Sequence, residues 1–423
     1  MKVCVMTLGC KVNKYESDSL MQELYSLGFE TTDKLEPADF YVVNTCAVTN
    51  EAEKKSRQMM ARCKKYNENA KFFICGCASQ KNREQFLERG AYYVCGTSGK
   101  RNIVEIIEKL AKNDGKSVKI DQNSNILPEK YENMNFALQT RTRAFIKIQD
   151  GCNNFCTYCI IPYLRGRSRS RELSSILREC ESLGEGVKEI VLTGINVTDF
   201  QVDGKKGLLL LLQELDKLGK RIRLSSIEDT LVDEEFVSGL AKLKNFCPHF
   251  HLSLQSGSDG VLKRMNRHYK AEDFAKSVEL IRKHFPLPAI TTDVIVGFPQ
   301  ETDEEFSETL KFVKKVNFSA LHIFQFSMRE GTAAQKLYKD LSPQIKQKRS
   351  EMLEEVNKKL KNDFIASCDS GEVLVEEKEG KFFVGHTKNY IKCFIESEEE
   401  LTGKVVKVKI EKPFEDGALA SLM

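Results

Sequence analysis

Short apolar runs alternate with helically spaced apolar residues along the first 112 positions. Residues 3–7 predict a buried strand, and the leucine spacing that follows predicts a helix over residues 16–27. The same pattern predicts strands at residues 39–45, 71–75 and 92–95, a helix capped by Thr49 that runs to Tyr66, and a helix at residues 103–111. This alternation favours an open parallel sheet, so residues 1–112 are predicted to form a doubly wound α/β domain.

Residues 113–139 are polar and have little periodicity, so they are predicted to be a linker. Strands are then predicted at residues 144–149, 189–193, 222–227, 251–255, 291–296 and 322–326, with helices clearest at residues 271–284 and 303–316. Six strand–helix units are too few for a closed eight-fold barrel, so residues 140–366 are predicted to form a partial (βα)6 barrel.

The last part of the chain has a different period. After a long predicted helix over residues 344–364, short alternating strands are predicted at residues 373–376, 381–384 and 405–410. Residues 369–423 are therefore expected to form a small β-barrel or sandwich. The fold class is thus α/β with a small all-β domain at its end.

Composition narrows the class of protein. The 423 residues are 41% hydrophobic and 30% charged, which is typical of a globular chain and excludes a disordered one. No apolar run approaches the ~18–20 residues of a membrane helix. We expect a soluble, cytoplasmic protein that makes no membrane contact and is a monomer.

Charge is unevenly distributed. The net charge is +4, but residues 369–423 contain eight lysines against twelve acidic residues. The densest basic run is residues 165–171, which contains Arg165, Arg167, Arg169 and Arg171. Such a run is either a solvated surface or a contact for a polyanion, of which RNA is the commonest.

Three of the fourteen cysteines form a compact motif, Cys152, Cys156 and Cys159, directly after the first predicted barrel strand. Barrel enzymes place their chemistry at this end of the strands. Three thiolates in one loop can hold three corners of a 4Fe–4S cluster and leave the fourth iron open. Structural zinc is the alternative, but it normally needs a fourth ligand nearby, and none follows Cys159 closely.

Three more cysteines, Cys10, Cys46 and Cys77, each follow a predicted strand of the first domain. The carboxyl ends of parallel strands meet at one edge of a sheet, so these thiolates are expected to converge on a second three-cysteine cluster. Singly, each would more often be a small buried hydrophobe. Cys75 and Cys95 are competing candidates, and strand parity does not separate Cys75 from Cys77.

The loop of Cys152, Cys156 and Cys159, with Tyr158 before the last cysteine, resembles the radical S-adenosylmethionine (SAM) superfamily. Segments around the other three cysteines, residues 9–13, 44–46 and 76–80, resemble the methylthiotransferases of that superfamily. These enzymes have an N-terminal cluster domain and a C-terminal TRAM domain. Further similar segments are residues 150–152, 161–163, 192–196, 223–228, 254–257, 293–299 and 330–332. Asp229 departs from the family, which usually has proline there.

The resemblance implies two 4Fe–4S clusters, one on Cys10, Cys46 and Cys77 and one on Cys152, Cys156 and Cys159. It also selects Cys77 over Cys75. SAM would serve both as methyl donor and as radical source, with electrons from an external donor of the flavodoxin or ferredoxin type. The residues at the barrel strand ends that we expect to contact SAM are Thr193, Gly194, Asn196, Ser226, Glu228, Gln255 and Val296.

The resemblance also indicates a substrate. Residues 11–13 and 15–17 are most similar to family members that act on N(6)-threonylcarbamoyladenosine at position 37 of tRNAs reading codons that begin with A. Isopentenyladenosine in tRNA and a ribosomal-protein aspartate are the alternatives within the family. An Fe–S electron carrier or an RNA-binding protein with structural clusters is the alternative outside it. The expected RNA contacts are Arg165, Arg167, Arg169, Lys388 and Lys392.

Overall fold

The computed structural model describes residues 1–112, 127–134, 136 and 141–423. The chain divides into two compact units. Unit 1 contains residues 1–139, 147–155 and 159–171, and unit 2 contains residues 140–146, 156–158 and 172–423. Most of the predicted linker lies outside the described residues, and the predicted domain limits stay a prediction. All fourteen cysteines are described, and none forms a disulfide.

Unit 1 is built on a parallel sheet of five strands in the order β2-β1-β3-β4-β5. Its elements are β1 (Lys2–Thr7), α1 (Lys11–Ser26), β2 (Glu30–Thr32), β3 (Phe40–Thr45), α2 (Asn50–Lys64), β4 (Lys71–Gly76), α3 (Cys77–Lys81), α4 (Glu84–Leu87), β5 (Tyr93–Val94) and α5 (Arg101–Ala111). This order is that of a doubly wound fold, which binds ligands where the strand order reverses. The fold-class prediction is confirmed, although the sequence pattern missed β2, an edge strand of three residues.

Alternate residues of β3 explain how the sheet packs. Tyr41 and Val43 join one apolar cluster with Met60 and Ile74. Phe40 and Val42 point to the opposite face and join a second cluster with α1 and α5. Both faces of the sheet are therefore covered, as parallel sheets require.

The chain then enters β6 (Arg143–Lys147), the first strand of the barrel. Three short elements of unit 1 follow: β7 (Gln149–Asp150), α6 (Ile161–Arg165) and β8 (Arg169–Ser170). Strands β7 and β8 pair antiparallel, with Asp150 opposite Arg169. The three-cysteine loop lies between β7 and α6.

Unit 2 contains the six strands of the partial barrel. Strands β6, β9 and β12 form one sheet, strands β13, β14 and β15 form another, and parallel bridges from Ile222 to Phe246 and from Ile227 to Leu252 connect them. The elements are α7 (Leu173–Glu181), β9 (Glu189–Thr193), β10 (Gln201–Val202), β11 (Lys205–Lys206), α8 (Leu208–Asp216), β12 (Arg221–Leu224), α9 (Glu234–Ala241), β13 (His249–Gln255), α10 (Asp259–Arg264), α11 (Ala271–His284), β14 (Ala289–Val296), α12 (Asp303–Val316), β15 (Ala320–Gln325), α13 (Ala333–Leu337) and α14 (Pro343–Ala366). The predicted six-unit barrel is confirmed.

The end of unit 2 is a closed five-stranded barrel with neighbours in the order β16-β17-β18-β20-β19. Its strands are β16 (Ser370–Glu379), β17 (Phe382–Thr387), β18 (Lys392–Glu396), β19 (Val405–Phe414) and β20 (Gly417–Leu422). The sequence pattern missed β18 and β20, because both are short. Closure removes the exposed strand edges that a small open sheet would leave.

Candidate active site

Two glycines of unit 1 bring the first three cysteine loops together. Gly9 has φ +103°, and a Cβ there would lie 2.8 Å from Cys46 Sγ. Gly76 has φ +102°, and a Cβ there would lie 2.4 Å from the Thr45 carbonyl oxygen. Only glycine allows this backbone conformation and this close approach together. The Gly-Cys pairs at Cys10 and Cys77 therefore pack against the loop of Cys46.

Buried polar side chains fix these loops. Asn13 donates to the Leu8 carbonyl at 2.7 Å and to the Thr45 carbonyl at 3.0 Å, which ties α1 to the end of β3. Thr45 Oγ1 accepts from the Ser79 amide at 3.2 Å, which adds the loop of Cys77. Asn44 donates to the Asn13 carbonyl at 3.0 Å. These bonds satisfy buried backbone groups that a mobile loop would expose to water.

The environment of the site shifts the pKa of two of its thiols, Cys46 and Cys77. Burial raises the pKa of Cys77 to about 11, and the Arg165 charge opposes that rise while Cys10 and Cys46 add to it. Burial also raises the pKa of Cys46. Buried neighbouring thiols are poor isolated anions, but bonding to iron would deprotonate them. In the described part of the chain, no group of three His, Cys, Asp or Glu side chains is placed to hold a single metal ion. A 4Fe–4S cluster differs, because each thiolate bonds a separate iron.

Cys75 and Cys95 belong to a different environment. Cys75 lies within β4 and packs with Cys95 in the apolar cluster of α1 and α5, whereas Cys77 packs in the cluster on the other face of the sheet. A hydrogen bond with Cys75, followed by burial, raises the pKa of Cys95 well above its usual value. The alternation of a strand would place Cys75 and Cys77 on the same face of the sheet. The strand ends at Gly76, however, and Cys77 is the first residue of α3.

Arg165 is fully buried in unit 1, which corrects the prediction that it contacts RNA. Its Nη1 donates to Asp150 Oδ1 at 3.0 Å and to Glu16 Oε1 at 3.1 Å, and its Nη2 donates to Asn13 Oδ1 at 2.7 Å. Arg169 is also largely buried, with Nη2 3.9 Å from Asp150 Oδ2, which corrects the same prediction for that residue. Basic composition alone did not show that these carboxylates lie beside the run.

The loop of Cys152, Cys156 and Cys159 contributes to both units. In unit 1, Gly151 has φ +73°, and a Cβ there would lie 2.0 Å from the Arg167 carbonyl oxygen. Cys152 Sγ accepts from the Asn154 amide at 3.5 Å. In unit 2, the Thr157 amide donates to the Met265 carbonyl at 3.0 Å, and Tyr158 packs edge-on against Phe298. Hydrogen bonds in both units thus fix the loop.

Arg267 is a site residue of unit 2 that sequence reasoning missed. Its Nη1 donates to Cys156 Sγ at 3.5 Å and to Glu228 Oε1 at 3.0 Å, and its Nη2 donates to the Ser253 carbonyl at 3.2 Å. Tyr269 supports it, accepting from Arg267 Nε at 3.2 Å. A strand-end motif cannot reveal Arg267, because it lies after α10.

The structure places all seven predicted SAM contacts at or just after the carboxyl ends of four successive barrel strands. Thr193 ends β9, Gln255 ends β13 and Val296 ends β14. The others follow β9 or β12: Gly194, Asn196, Ser226 and Glu228. Gln255 has φ +68° and follows a register shift against β14, which redirects the strand end. Glu228 is joined to Cys156 through Arg267, which donates to both side chains.

Comparisons with known proteins agree with this geometry. Residues 146–313 match the radical SAM superfamily, and residues 2–96 match a family described as uncharacterized protein family UPF0004. The chain is 39% identical over 98% of its length to threonylcarbamoyladenosine tRNA methylthiotransferase MtaB of Bacillus subtilis, covering 95% of that protein. It is 36% identical over 97% of its length to a tRNA-2-methylthio-N(6)-dimethylallyladenosine synthase of Dictyoglomus thermophilum, covering 96% of it. The chain belongs to the methylthiotransferase family of radical SAM enzymes.

Solved structures support the fold alone. The radical SAM methyltransferase TsrM of Kitasatospora setae superposes with a TM-score of 0.56 at 16% identity, over 77% of this chain and 74% of that one. OxsB gives a TM-score of 0.52 at 11% identity, over 86% of this chain and 56% of that one. No helix in the described residues is long and apolar enough to cross a membrane.

The residues of this methylthiotransferase fit the groups that its family implies. The thiols of Cys152, Cys156 and Cys159 are the donors that a 4Fe–4S cluster takes. Asp229 Oδ1 is buried beside Glu228 and lacks a hydrogen-bond partner within the described residues. Burial raises the pKa of Asp229 to about 6, while the Arg267 charge opposes the rise. An unsatisfied acceptor at the strand ends suits a ligand with an amino group, as SAM has.

The two predicted lysine contacts in the small barrel have acidic partners. Lys388 lies 3.8 Å from Glu372, and Lys392 lies 3.3 Å from Asp416 and 3.6 Å from Glu379. These carboxylates would therefore compete with an RNA phosphate for the ammonium groups of both lysines. Arg223 is buried beneath this region and donates to the Lys388 carbonyl at 3.0 Å.

Proposed function

We propose that this enzyme adds a methylthio group to carbon 2 of N(6)-threonylcarbamoyladenosine at position 37 of tRNAs that read codons beginning with A. The match to MtaB along nearly the whole of both chains carries the proposal. Two further relatives of that name, from Chlamydia pneumoniae and Aquifex aeolicus, are 36% and 37% identical. The dimethylallyladenosine synthases, at 36% identity or less, make isopentenyladenosine the second candidate substrate.

Mass spectrometry of tRNA nucleosides tests the substrate. Cells lacking the gene should lose 2-methylthio-N(6)-threonylcarbamoyladenosine and accumulate the unmethylthiolated nucleoside. Re-expression of the chain should restore the product, and a Cys152→Ala chain should not. Loss of methylthio-isopentenyladenosine instead would support the second candidate and overturn the first.

We further propose that the chain holds two 4Fe–4S clusters. Cys152, Cys156 and Cys159 would hold the one that binds SAM, and Cys10, Cys46 and Cys77 would hold the other. When bound and reduced, the first cluster supplies the electron that cleaves SAM. The loops after β1, β3 and β4 support the second site, because they carry three thiols to one edge of the sheet. Cys46 and Cys77 are buried there, and Cys10 is exposed.

Iron analysis separates the two sites. The anaerobically reconstituted chain should bind about eight irons, as two four-iron clusters require. A chain with Cys152→Ala, Cys156→Ala and Cys159→Ala should keep about half of that iron and lose all SAM cleavage. Full iron retention by this variant would contradict the barrel site, and complete loss would contradict the N-terminal one.

For RNA binding we propose a surface of unit 1 formed by Arg167, Phe155 and Tyr163. Arg167 is exposed, and its guanidinium carbon lies 4.4 Å from the centroid of the Phe155 ring. Tyr163 is 48% exposed and packs edge-on against the same ring at 5.6 Å. Cations interleaved with exposed aromatic rings are typical of surfaces on which bases stack. This surface adjoins Cys152 and Cys159 in sequence, where an RNA substrate must approach.

A further inference from the structure

Unit 1 contains a buried network of charges for which sequence analysis gave no function. Glu16 lies at its centre and contacts three cations: Lys147 Nζ at 2.7 Å, Arg165 Nη1 at 3.1 Å and Lys100 Nζ at 3.3 Å. Asp150 accepts from Lys147 at 2.7 Å and from Arg165 at 3.0 Å. All five side chains are less than a tenth exposed. Burial opposes ionisation, but the three cations hold the pKa of Glu16 well below its usual range.

Among the described residues, the network has more positive than negative charge. Lys100, Lys147 and Arg165 face the carboxylates of Glu16 and Asp150. At its edge, Arg169 and Glu132 add one charge of each sign. A buried excess of positive charge is costly unless an anion lies nearby.

Arg165 is the cation of this network that lies near cysteines of the N-terminal site. Asn13 Oδ1 accepts from Arg165 Nη2 at 2.7 Å and lies 3.9 Å from Cys10 Sγ. The Arg165 charge also lowers the pKa of Cys77, against the larger effect of burial. Among the described residues, Arg165 Nε is buried and has no acceptor. The Nη atoms of Arg165 thus donate to carboxylates and to Asn13, whereas its Nε–H has no acceptor among the described residues.

We propose that Arg165 is the buried counter-ion of the N-terminal cluster and sets its reduction potential. This inference rests on the proposed second cluster. A 4Fe–4S cluster held by three thiolates is a net anion, and both a nearby cation and hydrogen bonds to sulfur raise the potential of such a cluster. Glu16, Asp150 and Asn13 hold the guanidinium in place, so its charge acts at a fixed position.

The test uses the full-length chain with Cys152→Ala, Cys156→Ala and Cys159→Ala, which leaves only the N-terminal cluster to titrate. Arg165→Met, Arg165→Lys and Lys147→Met are added separately, and the midpoint potential is measured by an EPR-monitored redox titration. Lys147→Met is the matched control, because it removes a cation of the same network whose contacts are Glu16 and Asp150. We expect Arg165→Met to lower the potential most, Arg165→Lys to lower it less, and Lys147→Met to change it least.

Each outcome decides one question. Equal potentials in the Arg165→Met and Lys147→Met chains, with iron retained, would overturn the inference. If Arg165→Met alone loses its iron or fails to fold, Arg165→Gln decides, because glutamine removes the charge but keeps hydrogen-bond donors: a potential equal to that of the chain with Arg165 overturns the role. If the chain that retains Arg165 binds no iron at all, the second cluster itself is wrong, and the proposed function fails at that point instead.

Discussion

At the scale of single residues, the two cysteines that flank Gly76 differ because the strand ends between them. Cys75 lies in β4 and faces the apolar cluster on α1 and α5, whereas Cys77 begins α3 and lies near Cys10 and Cys46. Both thiols pack in apolar clusters, but on opposite faces of the sheet, and only Cys77 of these two has Cys10 and Cys46 as neighbours. The chemical difference between these residues thus comes from a backbone turn and not from their side chains.

This difference predicts opposite effects of two alanine substitutions. Cys77→Ala should remove about half of the bound iron, because one of two clusters loses a ligand, while SAM cleavage persists. Cys75→Ala should keep all the iron and cost about 1 kcal/mol of stability through lost packing. Iron analysis and thermal unfolding measure both, with Cys95→Ala as a second packing control. A Cys75→Ala chain that loses iron would show that the ligand has been misassigned.

Asp229 occupies a position where the family usually has proline. Because its carboxyl group is buried, we expect the stability of the chain to depend on pH. Burial raises its pKa to about 6 in the folded chain, against ~3.9 when unfolded. The folded state therefore binds the proton more tightly, and ionisation destabilises it as pH rises through this window. Asp229→Asn, which cannot ionise, should raise the melting temperature at pH 8 relative to the parent. That advantage should shrink at pH 5, and an advantage independent of pH would contradict this account.

At the scale of elements, three Gly-Cys steps form turns that carry thiols. Gly9, Gly76 and Gly151 all have positive φ and lie against backbone or side-chain atoms that leave no space for a Cβ. In each case the glycine precedes a cysteine of the proposed clusters. Each turn lies at or just after the end of a strand, and each positions the cysteine that follows the glycine.

A residue with a Cβ loses ~1–2 kcal/mol in the left-handed backbone region. Gly76→Ala should destabilise the chain by more than this, because the added Cβ would lie 2.4 Å from the Thr45 carbonyl oxygen. Gly28→Ala is the matched control, since Gly28 has φ +87° but no atom within 4 Å of the added Cβ. Denaturant unfolding measures the stability difference, and iron content shows whether the Cys77 loop has moved. Equal losses in the two variants would show that the close approach is unimportant.

At the scale of the whole molecule, the arginines of residues 165–171 differ in solvent exposure and therefore in what they can contact. Arg165 and Arg169 are buried near Asp150, while Arg167 is exposed over Phe155. One short basic run thus supplies both internal counter-charge and a surface cation. Only the exposed member can exchange counterions with a nucleic acid.

Arg167→Gln should weaken tRNA binding and reduce the slope of log K against log salt by about 0.7–0.9, as the loss of one phosphate contact requires. Arg62→Gln is the control, because Arg62 is an exposed arginine in the last turn of α2 and is not part of the proposed RNA surface. SAM cleavage without tRNA should be unchanged in both. Filter binding over a salt series gives the slopes, and equal slopes for the two variants would remove Arg167 from the RNA surface.

The sequence alone determined the features that depend on local periodicity and on cysteine spacing. The helices at Ala271–His284 and Asp303–Val316 were predicted to the residue, because their apolar stripes have clear caps and ends. The cysteine motifs and the segments around them indicated the family, and the comparisons confirm it. Short strands such as β2, β18 and β20 were missed, since three to six residues carry little periodic signal.

Tertiary structure decided which side chains are neighbours. Glu16 and Arg165 are 149 positions apart, so no local pattern could show that they pair. Arg267 reaches Cys156 from 111 positions away for the same reason. Burial and charge pairing depend on how distant elements pack, whereas helix and strand periods depend on neighbours along the chain. The sequence therefore determined what kind of enzyme this is, and the fold decided which of its charges face solvent and which face the cysteines.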